Sequence, residues 1–176
     1  MNVVGLSRSN IRLRSIALAI RIADPSAGQY SLLLIQEGLQ WNLPFVMLEE
    51  KGTMLPLDAL LHYVWLTVCE PHGLSRLHEE IAVILKHRNL SRFVGGGTYY
   101  TPYVTYNGYQ AFDAYVVIDV LRNVLPTPLP NCLSLFHAKS SASMLATEHD
   151  AAEGKRLLLS LLRLRYQVRQ PKVVKQ

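Results

Sequence analysis

Two cysteines in 176 residues, Cys69 and Cys132, are too few and too far apart for a disulfide framework. Neither sits in the C-x-x-C spacing of a zinc site. They fit free, half-buried thiols in an intracellular, reducing compartment, with cytoplasm and mitochondrion both open. No uncharged apolar run reaches the roughly 18 to 20 residues that a bilayer-spanning helix needs. The longest candidate, Leu55 to Cys69, contains Asp58 and His62 and reads as a buried helix. The sequence has no Gly-x-Ser-x-Gly elbow, Walker loop, Cys/His nucleophile pairing, internal repeat or low-complexity tract. What is there is 49% hydrophobic and 18% charged, the balance of a folded chain long enough to bury one core.

Acid is missing from both ends. Residues 1 to 23 carry Arg8, Arg12, Arg14 and Arg21, and residues 154 to 176 carry Lys155, Arg156, Arg163, Arg165, Arg169, Lys172 and Lys175, with no carboxylate in either stretch. All 13 carboxylates lie between them, against seven basic residues. Both ends suit a polyanion such as RNA, and Arg156, Arg163, Arg165, Arg169 and Lys172 are the candidate contacts. A solvated helix face with a soluble tail accounts for the same charges. The Arg- and Ser-containing start also has the composition of a mitochondrial transit peptide. However, Ile16, Leu18, Ile20 and Ile22 alternate as in a strand, so only the first ten residues are left for a targeting remnant.

The pattern predicts a strand over Ile11 to Ile22, a Pro/Gly/Ser turn, and a second strand in YSLLLIQ, together a hairpin. Trp41 to Leu48 reads as a short extended piece broken by Pro44. Pro56 suits the first turn of a helix running to about Glu70, with Pro71 and Gly73 ending it. A second helix from Ser75, its expected cap, to about His87 puts Leu77, Ile81, Ile84 and Leu85 on one face and Arg76, Glu79, Glu80 and Lys86 on the other. Gly95-Gly96-Gly97 breaks the chain. Two strands then flank Asn107-Gly108, and the second puts Phe112, Ala114, Val116, Ile118 and Val120 on one face. A rigid loop, LPTPLPN, a short strand, CLSLFHA, and a helix from Ala151 to about Val168, with Leu157, Leu161 and Leu164 buried, complete the order. This is an α+β chain in which a mixed, largely antiparallel sheet packs between helices. One domain over 11–168, with residues 75–87 as an inserted helix, lies between an extension at 1–10 and a basic tail at 169–176.

The order, with Trp41-Asn42-Leu43-Pro44 leading toward a helix that ends near a Gly, resembles the Nudix hydrolase fold, an α/β/α sandwich, from about Ile11 to Leu164. The family signature is G-x5-E-x7-R-E-U-x-E-E-x-G-U, usually preceded by Leu-Pro-Gly. In the family its glycines form a tight loop, and its carboxylates share one helical face and hold Mg²⁺ or Mn²⁺ against a diphosphate. Here Leu43-Pro44 match, but Phe45 and Val46 hold the glycine positions. Glu49 and Glu50 lie near the family's early acid, and Glu70 and Gly73 echo the Glu-Glu-x-Gly end. Leu66-Thr67, or His62-Tyr63 in another register, stand where Arg-Glu belongs, and the distance from Val46 to Gly73 exceeds the family spacing. The box is strongly degenerate. The helix over 57–68 is apolar on nearly all faces, which predicts cover on every side by helix 75–87 or a partner.

The resemblance implies a Nudix-like pseudoenzyme with no cofactor, acting as a scaffold bound to protein subunits of a larger, ribonucleoprotein assembly, with RNA a further partner. Non-catalytic members of the fold occur in messenger-RNA processing and mitochondrial ribosomes. The alternative is a divergent pyrophosphohydrolase for a nucleoside diphosphate derivative, with Mg²⁺ on Glu49, Glu50, Glu70 or the pair Glu79 and Glu80. For Glu79 and Glu80, a solvent-facing stripe beside Arg76 and His78 is the simpler account. Asp58 and His62, spaced i, i+4, suit a base and its orienter, or a partly buried, hydrogen-bonded histidine. Five tyrosines fall between Tyr99 and Tyr109. Alternation puts Tyr99 and Tyr103 on one face as a stacking or partner-binding platform, though Tyr is also simply a good strand residue.

Overall fold

The computed structural model describes residues 15–24, 29–37, 40–48, 54–86, 91–94, 114–137, 156 and 158–163. Strand β1 (Ser15–Asp24) is the centre of a seven-stranded mixed sheet. It turns back antiparallel into β2 (Gln29–Glu37), with Asp24 opposite Gln29. The expected hairpin is present. Two short strands, β3 (Gln40–Asn42) and β4 (Phe45–Met47), flank Pro44 as expected, since proline cannot donate to a ladder. β3 pairs with the end of β2, and β4 with the start of β1, Ile16 opposite Val46.

On its other edge β1 runs parallel to β6 (Ala114–Leu121) over eight register pairs, from Ile16–Ala114 to Ala23–Leu121. A parallel central pair is buried on both faces, which the near-continuous apolar run AYVVIDVL satisfies. Strand β5 (Ser91–Val94) pairs antiparallel with β6 just before the triple glycine, a strand that sequence periodicity did not mark. The expected partner strand at 98–106 and its Asn107-Gly108 turn lie outside the described residues, as do the 1–10 and 169–176 segments. The loop at 125–131, which contains a cis Thr127–Pro128 bond, leads to β7 (Leu133–Phe136), the expected last strand, antiparallel to β2.

The alternation in β1 sorts its side chains into two cores. Ile16, Leu18, Ile20 and Ile22 join Ala114, Val116, Ile118 and Val120 under α1 (Pro56–Val64) and α2 (Ser75–Lys86). Ala17 and Ala19, with Tyr115 and Val117, face the helical segment at 158–162 through Leu158 and Leu161. The two faces of β1 thus serve different cores, with large aliphatic residues under α1 and α2 and two alanines on the side of the 158–162 segment. The mixed sheet between helical layers, the early hairpin, the Trp-Asn-Leu-Pro corner and the helix after it are all present as the sequence led one to expect. No helix among the described residues is long and apolar enough to cross a membrane.

Four details differ from expectation. α1 ends at Val64, and a π-helical turn over Trp65–Cys69, closed by Glu70 N–H to Trp65 C=O at 2.8 Å, carries the chain on. Gly73, at φ +64°, then caps it in a Schellman motif, with Leu74 N–H on Cys69 C=O and Gly73 N–H on Glu70 C=O. Ser75 is not the cap of α2: His78 N–H bonds the Leu74 carbonyl, so Leu74 holds that place. On the late helix Leu158 joins Leu161 in the core, while Leu157 and Leu164 lie outside what is described.

The fourth correction concerns charge. Arg21, counted above among the basic residues of the N-terminal end, is fully buried. Its register partner across the parallel pair is Asp119, and the two form a bidentate bridge, Nε to Oδ1 at 2.6 Å and Nη2 to Oδ2 at 2.8 Å. Nη1 donates to the Leu162 carbonyl at 3.1 Å, and the guanidinium lies 4.3 Å from the centre of the Tyr30 ring. Arg21 thus ties sheet to helix and is not available to a polyanion. Burial pushes the Asp119 carboxyl and the Tyr30 hydroxyl above their ordinary values, with Arg21 opposing both.

Candidate functional site

The corner at 41–48 is where the sequence resemblance places phosphate-handling chemistry. Asn42 is buried, and its Oδ1 accepts the N–H of Leu43 at 2.9 Å, a local bond that turns the chain out of β3. Leu43 is 1% exposed and joins the core beneath the late helix. Buried Pro44 offers its carbonyl to Leu18 N–H of β1 at 2.7 Å, so the corner is stitched into the central strand. Phe45 packs on the core that holds Ala17 and lies against Tyr63 of α1, ring centres 6.2 Å apart. Val46 packs on the opposite core. Both side chains fill space that a glycine loop would leave open to a ligand.

The helix that follows presents little chemistry. Leu57, Leu60, Val64 and Val68 point into the core. Leu66 and Thr67, standing where the family has Arg-Glu, are both exposed, and the Thr67 hydroxyl donates to Tyr63 C=O at 2.7 Å. Within the chain α2 does not complete the cover: Leu66 is 48% exposed, and Met54 and Leu55 before α1 are 51% and 58%, which leaves the partner half of that expectation untested. The helix is therefore one-sided in packing though apolar in sequence. Asp58 and His62 are both exposed, so the partly buried histidine expected at 62 is not found.

Glu70 is exposed at the end of the π turn, with Leu66 and Thr67 one turn before it. Glu79 is exposed on α2, and Glu80 is half-buried and engaged in contacts. Arg156 and Arg163 are exposed at either end of the described late helix. Glu49, Glu50, Tyr99, Tyr103, Arg165, Arg169 and Lys172 lie outside the described residues. A Mg²⁺ ion wants an octahedron of oxygens, with carboxylates converging on it beside the substrate phosphates. Among the described residues no three His, Cys, Asp or Glu side chains gather, and Glu70 has no carboxylate one turn away. The described residues do not fit that ion.

One juxtaposition escaped the sequence. Cys132 Sγ lies 2.7 Å from His72 Nε2, across 60 residues, a Cys/His pairing that no spacing rule marks. The two thiols differ in setting. Cys69 is 0% exposed, not half-buried, and burial pushes its thiol up from 9.0 to about 12; Cys132 is half-buried. A thiol raised in the folded state contributes stability that is fully present below its unfolded pKa, roughly 8.5, and is lost as pH climbs from there. Urea melts should accordingly show stability falling between pH 9 and about 12. In Cys69→Ala the decline should be shallower, leaving the part due to tyrosines and lysines. Equal slopes in the two proteins would contradict this.

No protein-family model and no curated protein matches the sequence. Solved structures do show likeness in overall arrangement. The Nudix hydrolase RenU from M. smegmatis is 16% identical, with 89% of this chain and 92% of that one covered and a TM-score of 0.44. C. elegans Ap4A hydrolase is 9% identical, with 86% and 99% covered and a TM-score of 0.47. The C-terminal domain of mouse MUTYH, solved in complex with human PCNA, is 14% identical, with 90% and 95% covered and a TM-score of 0.44.

Proposed function

We propose that this chain is a Nudix-like domain without hydrolytic activity that serves as a binding or scaffolding subunit. The observation that carries this reading is the filled corner. Phe45 against Tyr63 and Val46 on the core occupy the place where backbone must approach phosphate, and the helix beyond offers Leu66-Thr67 where the family supplies charge. What the domain has kept is a rigid sheet and an apolar helix edge. The partner in this reading is a protein subunit of a larger assembly, meeting the exposed Met54, Leu55 and Leu66 side chains. RNA is the second partner class, drawn by the basic residues that follow Arg156 in the sequence.

Purified chain incubated with Mg²⁺ or Mn²⁺ and a panel of nucleoside diphosphate derivatives tests the first half. No product above the enzyme-free control is expected. Turnover that disappears in Glu70→Gln or Glu49→Gln would establish the pyrophosphohydrolase alternative instead. For RNA, affinity should fall steeply between about 50 and 200 mM salt as counterions compete for several phosphate contacts. A flat salt profile would remove the basic end from the account.

A further inference from the structure

We propose that Cys132 and His72 form a base-assisted thiol, the chain's site of covalent modification by small, uncharged alkylating electrophiles. His72 follows the π-helical turn, and its Nδ1 lies 2.8 Å from the Val68 carbonyl. A carbonyl can only accept, so Nδ1 carries the proton. In the neutral ring Nε2 is then the basic nitrogen, and the Cys132 thiol 2.7 Å away donates to it. The sulfur, its proton acceptor and the group that fixes the ring's tautomer stand in line, the arrangement that activates a nucleophile.

Both partners are held in place by backbone. The Cys132 carbonyl accepts Gln36 N–H of β2 at 2.9 Å, and the next residue, Leu133, bonds back to Pro130 C=O at 2.9 Å. On the other side, Gly73 and Leu74 close the Schellman motif immediately after His72. Cys132 also packs on the apolar core beside α1 and α2, a setting that admits a neutral reagent more readily than an ion. Cys132 and His72 are each half-buried residues, so neither is sealed in the core as Cys69 is. The step is a displacement: sulfur forms a bond to carbon, the carbon–halogen bond breaks, and halide leaves with the electron pair. The thiol proton passes to His72 Nε2, while Nδ1–H remains on Val68. No electron is gained or lost.

The chain's other thiol supplies an internal reference. Cys69 is fully buried, and its thiolate is disfavoured until about pH 12, so it reacts only when the chain opens. Native chain treated with iodoacetamide at pH 7.5, followed by intact mass, should gain one adduct, mapped to Cys132. Its rate should exceed that of the urea-unfolded chain by about tenfold, and His72→Gln should lower it by about tenfold with Cys69 still unlabelled. Cys132→Ser should give no adduct while folded. A native rate at or below the unfolded rate overturns the proposal, as does a rate unchanged in His72→Gln or an adduct on Cys69 in folded Cys132→Ser. If His72→Gln opens the fold, a second adduct on Cys69 reveals it, and the native-against-unfolded comparison still decides. The outcome is independent of whether the domain hydrolyses diphosphates.

Discussion

Replacing Asp119 by Ala is expected to remove about 3–5 kcal/mol of folding stability, a large share of what a domain this size possesses. The cost does not come from losing an attraction. Arg21 and Asp119 have side chains 0% exposed, so each ion has given up its water. The bidentate bridge, the Leu162 carbonyl and the Tyr30 ring together replace that hydration. Without the carboxylate, a guanidinium that stays charged at any working pH is left buried beside an apolar strand. Arg21→Met combined with Asp119→Val should recover most of the loss, because two apolar groups close in volume to the pair need no hydration replaced. A residue of about 1 kcal/mol should persist, since Leu162 C=O loses its donor. Urea melts of the single and double variants check this. A double variant no more stable than Asp119→Ala would show that the pair is net stabilising and the desolvation account wrong.

The second large effect is expected on β1 and should differ in kind between its two faces. Ile20→Ala should cost about 2–5 kcal/mol, because Ile20 is fully buried beside Ile118 in the core roofed by α1 and α2. Close-packed neighbours relax only partly into the space it leaves. On the opposite face Ala19 is equally buried, in the core that also holds Leu158 and Leu161 of the late helix. Ala19→Leu should destabilise by about 1–3 kcal/mol through overpacking against Leu158 and Leu161. Circular dichroism should show helix lost in Ala19→Leu, while Ile20→Ala should unfold as one unit at lower urea. If Ala19→Leu were tolerated without change, the close approach of the late helix to β1 would be disproved.

Period-2 alternation over Ile16 to Ile22 was readable because β1 carries its large aliphatic residues on one face and Ala17 and Ala19 on the other, whereas β6 was readable as a near-continuous apolar run. Helix α2 was readable for the same reason, Leu77, Ile81, Ile84 and Leu85 sharing a stripe. Turn chemistry was equally direct: Pro56 at a helix start and Gly73 at a helix end have few other uses. Local pattern failed where the partner is distant. Arg21 looks like one more basic residue of an acid-free segment until Asp119, 98 residues on, is placed beside it. The apolar surround of the helix over 57–68 predicted cover on all sides but did not say that α2 would leave Leu66 of the π-helical turn bare within the chain.

At the candidate site the division is similar. Phe45, Val46, Leu66 and Thr67 are departures from the family signature that stand in the sequence alone. That Phe45 rests on Tyr63 and that Pro44 is bonded to β1 needed the helix laid against the sheet. The Cys132–His72 pair is the extreme case, since a separation of 60 residues leaves no spacing to recognise. By itself the sequence determined the periodicities, the turns and the departures from the family signature, because each depends on neighbours within a turn or a strand. Only the tertiary structure decided which charges are buried, which apolar faces stay bare and which thiol meets a base, because those depend on contacts between segments far apart in the chain.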